Sequence, residues 1–533
     1  MTFPAESLPS GDLSLPLTAE RLLRRRAAQR SGVTALADPP NAAALGLGPT
    51  RAFTYRDADE AVDRLAACFI AFGFVPGDIL GMQLPNLAIA PLTMLAAWRA
   101  GLTVAALPML WREHEIGKAC QEIAPKALVG VAQFGEERYA EKLCAVAAEQ
   151  LSVRFVFGFG SGLPDGVTSL DEVLAGTSAR PVAAGEQGRG AALITFTARA
   201  GFPLLPVLHS EEELLAQGAM TVLALSLDRK DVILNPYPLT GPAGLSLGLM
   251  PWLISGATLA QHHPFDYGVF VDQLLGAGAT VTALPASVLT ELDQDAVLRR
   301  PTCCLRRLGA VWPSPEQDTP PPLFDGAAPL LFDLYPLGDL VGLVLKREAR
   351  NRREAVRLGP ARLDAEGSDT VFVETKLKSH RDAEGFGELL LRGPVVPRSL
   401  AGPLAADADG FVTSGLWAKL GTIGLDLHLK RDPELRRHGG IAIALSELDD
   451  LYRSCPAFLD AACFVLPDPA IGDRVFAAVL PHPGEAVTLE ALHGFLLERG
   501  VAPYKLPDKL LVVKHIPRDS DGRVLREEIL RQL

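Results

Sequence analysis

From position 54 onward the apolar residues alternate between runs of helical period and short strand-like blocks. Ala61, Val62, Leu65, Ala66, Phe69 and Ile70 recur at helical spacing, Asp57 and Glu60 stand at capping-box spacing ahead of them, and Gly73 ends the helix. Pro76-Gly77-Asp78 turns the chain into the apolar run 79–84, and Pro85-Asn86 closes that run. An apolar helix to Gly101 then precedes a further apolar block at 104–107. Strand, helix and strand joined by short turns predict a parallel sheet.

The same rhythm continues with strands at 127–131, 155–157 and 191–196, the last running into an irregular loop. Ser210 and Glu213 form a second capping pair that opens a helix through Leu225. Strands at 232–234, 258–260 and 280–284 alternate with helices at 244–255 and 265–276. Between about 341 and 394 the pattern changes to alternation, as in Val371-Phe372-Val373-Glu374-Thr375, which predicts antiparallel strands. A polar stretch at 429–434 separates this region from about a hundred residues of mixed helix and strand. The predicted fold class is α/β: a large N-terminal domain (1–430) of parallel and mixed sheets with a small antiparallel β subdomain, a hinge (431–434) and a small α+β C-terminal domain (435–533).

Composition narrows the class further. The 533 residues are 48% hydrophobic and 21% charged, which excludes a disordered chain, a collagen-like repeat and a small disulfide scaffold. A single core stops growing near roughly 250–300 residues, so more than one domain is required. The net charge of −12, without long runs of one sign, argues against a nucleic-acid or anionic-membrane surface. Seven cysteines, at 68, 120, 144, 303, 304, 455 and 463, read as the reduced thiols of a cytoplasmic protein, and none has metal-knuckle spacing. The N-terminal residues lack a basic region followed by an apolar stretch, so no secretory signal is expected. The most apolar segment, 241–260, contains Pro251 and several glycines, which predicts a buried helix and strand in place of a membrane span. His262-His263 has no third ligand placed near it and is expected to be polar surface, and Cys303-Cys304 lacks a paired base.

An ordered series of short blocks now carries a resemblance over nearly the whole chain. The blocks are Thr54-Tyr55, Val75-Pro76-Gly77-Asp78, Leu84-Pro85-Asn86, Ala100-Gly101, Ser255-Gly256-Ala257-Thr258, Gly387-Glu388-Leu389 with Arg392-Gly393-Pro394, Arg431 with Gly439-Gly440, and Ala502-Pro503-Tyr504-Lys505 with Pro517-Arg518. In that order and spacing the chain resembles the adenylate-forming superfamily of acyl- and aryl-CoA synthetases, firefly luciferase and peptide-synthetase adenylation domains. The resemblance implies ATP, Mg²⁺ and coenzyme A as cofactors and a small-molecule carboxylate or acyl-CoA as ligand. It also implies a small domain that rotates between adenylation and thioester formation.

Several blocks depart from the family pattern where phosphate is handled. The phosphate loop resembling TSGTTGxPKG reads Thr197-Ala198-Arg199-Ala200-Gly201-Phe202-Pro203-Leu204-Leu205-Pro206: hydroxyls and glycine are lost, leucine replaces lysine, and Pro206 has no amide hydrogen. Thr195, Thr197, Arg199 and Gly201 remain to meet an anion. The block resembling YGxTE reads Tyr335-Pro336-Leu337-Gly338-Asp339, with Tyr335 the candidate for adenine stacking and Asp339 the candidate metal ligand. The block resembling TGD reads Ser414-Gly415-Leu416, and leucine cannot grip a ribose hydroxyl. Arg431 keeps the ribose and hinge arginine, Glu434 stands at the hinge acid, and Gly439 and Gly440 follow on the coenzyme side. Arg523 stands where the family has a catalytic lysine, although its planar fork differs from an ammonium. Thr240, Gly241 and Gly244 occupy the acyl-pocket segment.

Removal of one transition-state charge contact typically costs about 10²–10³ in rate, and several differ here at once. The sequence therefore reads first as an acyl-CoA-synthetase-like protein with a decayed ATP site, binding a carboxylate, a CoA ester or a protein partner. A working ligase in which Arg199, Asp339 and Arg523 assume the missing roles, and acyl transfer without ATP, are the alternatives.

Overall fold

The computed structural model describes residues 17–46, 48–176, 182, 191–199, 201–312, 329–348, 354–362, 371–380, 382–397, 404–428, 434–438, 441–468, 472–485 and 487–531. A seven-stranded sheet orders its strands Val167–Ser169, Phe155–Phe159, Ala127–Val131, Ile79–Met82, Thr103–Ala106, Ala191–Arg199 and Phe202–Ser210. All pairings are parallel except the last. An eight-stranded sheet has the parallel strands Val232–Asn235, Thr258–Gln261, Val281–Pro285 and Arg307–Val311 at its centre. The Leu330–Leu337 and Val341–Lys346 hairpin stands at one edge. Parallel strands flanked by helices on both faces read as continuous apolar runs, which is why these strands were visible in sequence.

Five antiparallel strands from Gly359–Arg362 to Leu425–His428 form the smaller β unit predicted from the alternation. The C-terminal region combines Ile441–Ala444, Leu435–His438, Gly472–Pro481 and Phe458–Asp468 with two main helices, and two of its apolar clusters draw only on residues 443–529. It is therefore an α+β unit with a core of its own.

Three local expectations change. The first predicted helix is Tyr55–Ala71, and its capping box is Thr54 with Asp57: extended Thr54 accepts from the Asp57 amide and Asp57 accepts from the Thr54 amide. A hydroxyl residue three positions before an acid outcompetes the Asp57–Glu60 spacing. The Ser210–Glu213 box is present and opens Glu211–Leu225. His262 and His263 are not surface residues. They leave the end of Thr258–Gln261 under the loop carrying Asn86, whose side-chain amide donates to the carbonyls of Asn235 and His262, while the His263 ring stacks on Phe134. Burial pushes His263 down to about 4. The 241–260 segment forms helical turns over Pro242–Ser255, with a π-helical stretch at Leu245–Leu249, and then a strand. Among the described residues no helix is long and apolar enough to cross a membrane. All seven cysteines are free.

Candidate functional site

The third change falls at the site itself. The expected irregular loop after residue 196 is instead a β-hairpin, Ala191–Arg199 paired with Phe202–Ser210. Thr197 faces Leu205 and Arg199 faces Phe202 in the antiparallel register. The apolar content of the return strand explains the difference: without the glycines that hold a loop open, Phe202, Leu204, Leu205 and Val207 extend and pair. Gly201 sits at φ +74° with open space around it, which makes it the turn residue.

Arg199 points back from the end of its strand into a buried junction of three segments. Its Nη1 donates to the Thr197 hydroxyl and the Ala198 carbonyl, each at 2.8 Å. Its Nη2 donates to the Gly338 carbonyl at 3.0 Å and the Ser414 carbonyl at 2.9 Å. Gly338 and Asp339 form the tip of the Leu330–Leu337 and Val341–Lys346 hairpin, both at positive φ, a conformation that glycine and aspartate tolerate better than most residues. Ser414 is fully buried, its hydroxyl donating to the Leu389 carbonyl, and Gly415 lies directly under the guanidinium.

Asp339 meets a second arginine. Arg437, on the C-terminal strand Leu435–His438, donates from Nη2 to both carboxylate oxygens at 3.0 Å, and the Thr197 hydroxyl donates to Oδ2 at 3.1 Å. Burial by itself would raise this carboxyl. Arg437 foremost, then Arg199 and the hydrogen bonds, outweigh it and hold Asp339 below the ordinary carboxylate range. As arranged, these residues do not fit a magnesium ion: the Asp339 carboxylate is already engaged by Arg437 and lies in the field of Arg199. Among the described residues no group of three or more metal-ligating side chains occurs.

Beneath the junction, Thr195 shares a 2.9 Å hydrogen bond with His209 across the hairpin. Burial pushes His209 down to about 4, so it is neutral at physiological pH. A folded-state histidine depressed in this way binds fewer protons than the unfolded chain between about pH 4 and 6.5. Its contribution to stability is therefore full above 6.5 and is lost as pH falls through that window. The stability difference between wild type and His209→Gln, followed by urea unfolding, is expected to narrow by about 3 kcal/mol from pH 7 to pH 4.

The remaining predicted residues are more scattered. Tyr335 is buried in an apolar cluster with its hydroxyl donating to the Glu354 carbonyl at 2.6 Å, so its ring is packed as part of the core. Gly244 opens the Pro242–Ser255 helical segment so close to the preceding loop that a Cβ there would lie 2.1 Å from the Pro238 carbonyl oxygen. Thr240 and Gly241 are half-buried beside it. Arg523 is exposed, in a turn where its amide donates to Asp519 within the C-terminal unit. Glu434, the residue expected at the hinge, accepts from Arg526 at 2.8 Å, which also reaches Asp449 at 2.7 Å, so it is tied to the C-terminal unit. Arg431, Gly439 and Gly440 lie outside the described residues. Sequence reasoning missed Arg437. Its only signal was a doubled arginine just beyond the polar linker, next to blocks that had drawn attention to Arg431.

Comparison with known proteins places the whole architecture. The profile of the family described as AMP-binding enzyme matches residues 23–316. A Streptomyces protein described as salicylyl-CoA synthase / salicylate adenylyltransferase is 26% identical over 508 residues, covering 90% of this chain and 89% of its own length. The medium-chain fatty-acid–CoA ligase of Escherichia coli is 24% identical, with 90% and 86% covered. Among solved structures, the amide bond synthetase McbA from Marinactinospora thermotolerans superposes with a TM-score of 0.74 at 20% identity, covering 97% of this chain and all of that one.

Proposed function

The chain belongs to the AMP-binding enzyme family, and we propose that it is a member that binds an acyl or aryl carboxylate, or its CoA ester, without adenylating it efficiently. The observation that carries this reading is the Arg199 junction. Where a triphosphate would need a loop of amides, a lysine and a metal-binding acid, the chain has a closed hairpin, and its arginine is spent on backbone carbonyls. The acid beside it is taken by Arg437. The carboxylate class is supported by relatives described as acting on salicylate and on medium-chain fatty acids. Asn235 and Gln261 add polar groups at the carboxyl ends of neighbouring parallel strands, joined by a 3.0 Å side-chain hydrogen bond, in the crevice where α/β sheets bind ligands.

The direct test is pyrophosphate release with ATP, Mg²⁺, coenzyme A and a panel of salicylate, benzoate and medium-chain fatty acids. Turnover is expected below about 0.1 s⁻¹, well under the median near 10 s⁻¹ for ordinary enzymes. Millimolar Mg-ATP is expected to leave the melting temperature unchanged, whereas a carboxylate or CoA ester that occupies the pocket raises it by mass action. Pyrophosphate release above that rate with any acid of the panel refutes the reading. Arg523→Ala then decides whether this exposed arginine takes part.

A further inference from the structure

The Ala502-Pro503-Tyr504-Lys505 block plays no part in the ligand reading above, yet it forms the second point at which the small domain meets the large one. On the large-domain helix Glu113–Ile123, Glu115 and Lys118 stand three residues apart on one face. On the small domain, Glu447 lies in the helix Leu445–Arg453 and Lys505 ends the turn Pro503–Lys505. The four charges alternate: Lys118 to Glu447 at 3.2 Å, Glu447 to Lys505 at 2.8 Å and Lys505 to Glu115 at 3.1 Å. The first and last of these ion pairs cross the domain boundary. Glu115, Glu447 and Lys505 are all buried, so parting the two units breaks two charge contacts that lie largely out of water.

Backbone contacts reinforce the same crossing. The Ala502 amide donates to the Glu115 carboxylate and the His114 amide donates to the Gly500 carbonyl. Gly500 is at φ +66°, and a Cβ there would lie 2.8 Å from that of Glu113, so the approach admits only glycine without movement. Tyr504 packs into the cluster holding Trp111, Ile116, Phe196 and Leu204, the last two belonging to the site hairpin. The charges and the strand that ends in Arg199 thus meet one apolar cluster, which Tyr504 and Phe196 both pack against and in which Trp111 touches Phe196.

We infer that Lys118, Glu447, Lys505 and Glu115 form a latch that positions the small domain, and that this latch is what brings Arg437 to Asp339 while leaving Arg523 in solvent. Any rotation that carried Arg523 to the hairpin would have to break the latch and the Asp339–Arg437 clasp together. The inference is independent of whether nucleotide is turned over.

The test uses the full chain with Glu115→Gln and, separately, Lys118→Met. Both changes lie on the large domain, so the Glu447–Lys505 pair inside the small domain stays intact, and glutamine preserves an acceptor for the helix cap. Hydrogen–deuterium exchange is expected to quicken about tenfold or more at Ile441–Ala444, which packs on the site hairpin, and at 500–505. The small-domain strands Phe458–Asp468 are expected to stay protected. Lys118→Arg is expected to retain wild-type protection. Exchange at Ile441–Ala444 within twofold of wild type in both variants would overturn the latch. So would an equal loss of protection through Phe458–Asp468, which would mean that the charges maintain the small domain's fold and not its position.

Discussion

Arg199→Met is expected to lower stability by about 3–5 kcal/mol, the range measured when one partner is removed from a buried charged pair. Methionine matches the length of the arginine stem and keeps its apolar contacts, so the loss isolates the guanidinium. Three buried carbonyls, of Ala198, Gly338 and Ser414, lose their donor, and each unsatisfied acceptor costs about 1–3 kcal/mol. Asp339 also loses one of its two cationic neighbours. Arg199→Lys is expected to recover only part of the loss, because a single ammonium cannot reproduce a planar fork that serves three segments. Urea unfolding followed by fluorescence reads the change near the site, since Trp111 lies against Phe196 of the same hairpin with ring centroids 5.1 Å apart. A loss under about 1 kcal/mol would show that those carbonyls find other donors and that the junction is not held by the arginine.

The contrast between what was legible in the sequence and what was not follows the range of the interactions. The strands 79–82, 103–106 and 127–131, and the helix opened by Ser210 and Glu213, are specified by neighbours within a few residues, through apolar runs and capping hydroxyls. The antiparallel unit and the mixed helix and strand of the C-terminal region followed from the same local signals. The hairpin at 191–210 was misread because the motif it resembles predicts a loop, whereas its actual residues favour extension. A resemblance reports position, but the side chains present decide conformation. Thr197, Arg199, Asp339 and Ser414 were each named from sequence and do come together. Their partners were beyond reach: the bonds from Arg199 to 338 and 414 span 139 and 215 positions, and Arg437 arrives from another domain. The burial of Tyr335 and of His262 was equally invisible, because each depends on a segment distant in sequence closing over it.

Gly338→Thr is expected to cost more than about 4 kcal/mol and to confer no ATP binding, although it restores the residue that the family motif carries at this position. A Cβ at 338 would lie 1.9 Å from the Ser414 carbonyl oxygen, 2.7 Å from its carbon and 2.9 Å from its Cα. These are backbone atoms, so no rotamer change relieves the clash. The strand end at 414 must move, and Arg199 holds that end to the same Gly338. A β-branched residue at φ +62° adds conformational strain of about 1–3 kcal/mol. Gly201→Ala separates the two effects: position 201 is at φ +74° but has nothing within 4 Å, so it is expected to lose only about 1 kcal/mol. Thermal or urea unfolding of the two variants side by side is the measurement, with Mg-ATP added to each. If Gly338→Thr falls within about 1 kcal/mol of Gly201→Ala, segment 414 yields easily and the junction is soft enough to admit a larger motif. The expected gap between them means that the arginine and the glycine are mutually dependent. By drawing the 338 and 414 carbonyls onto one guanidinium, Arg199 brings the two backbones into contact, and that contact leaves room for a hydrogen but not for a methyl group. Re-creating a threonine and a longer acid here would therefore require freeing Arg199 from both carbonyls and Asp339 from Arg437 in the same step.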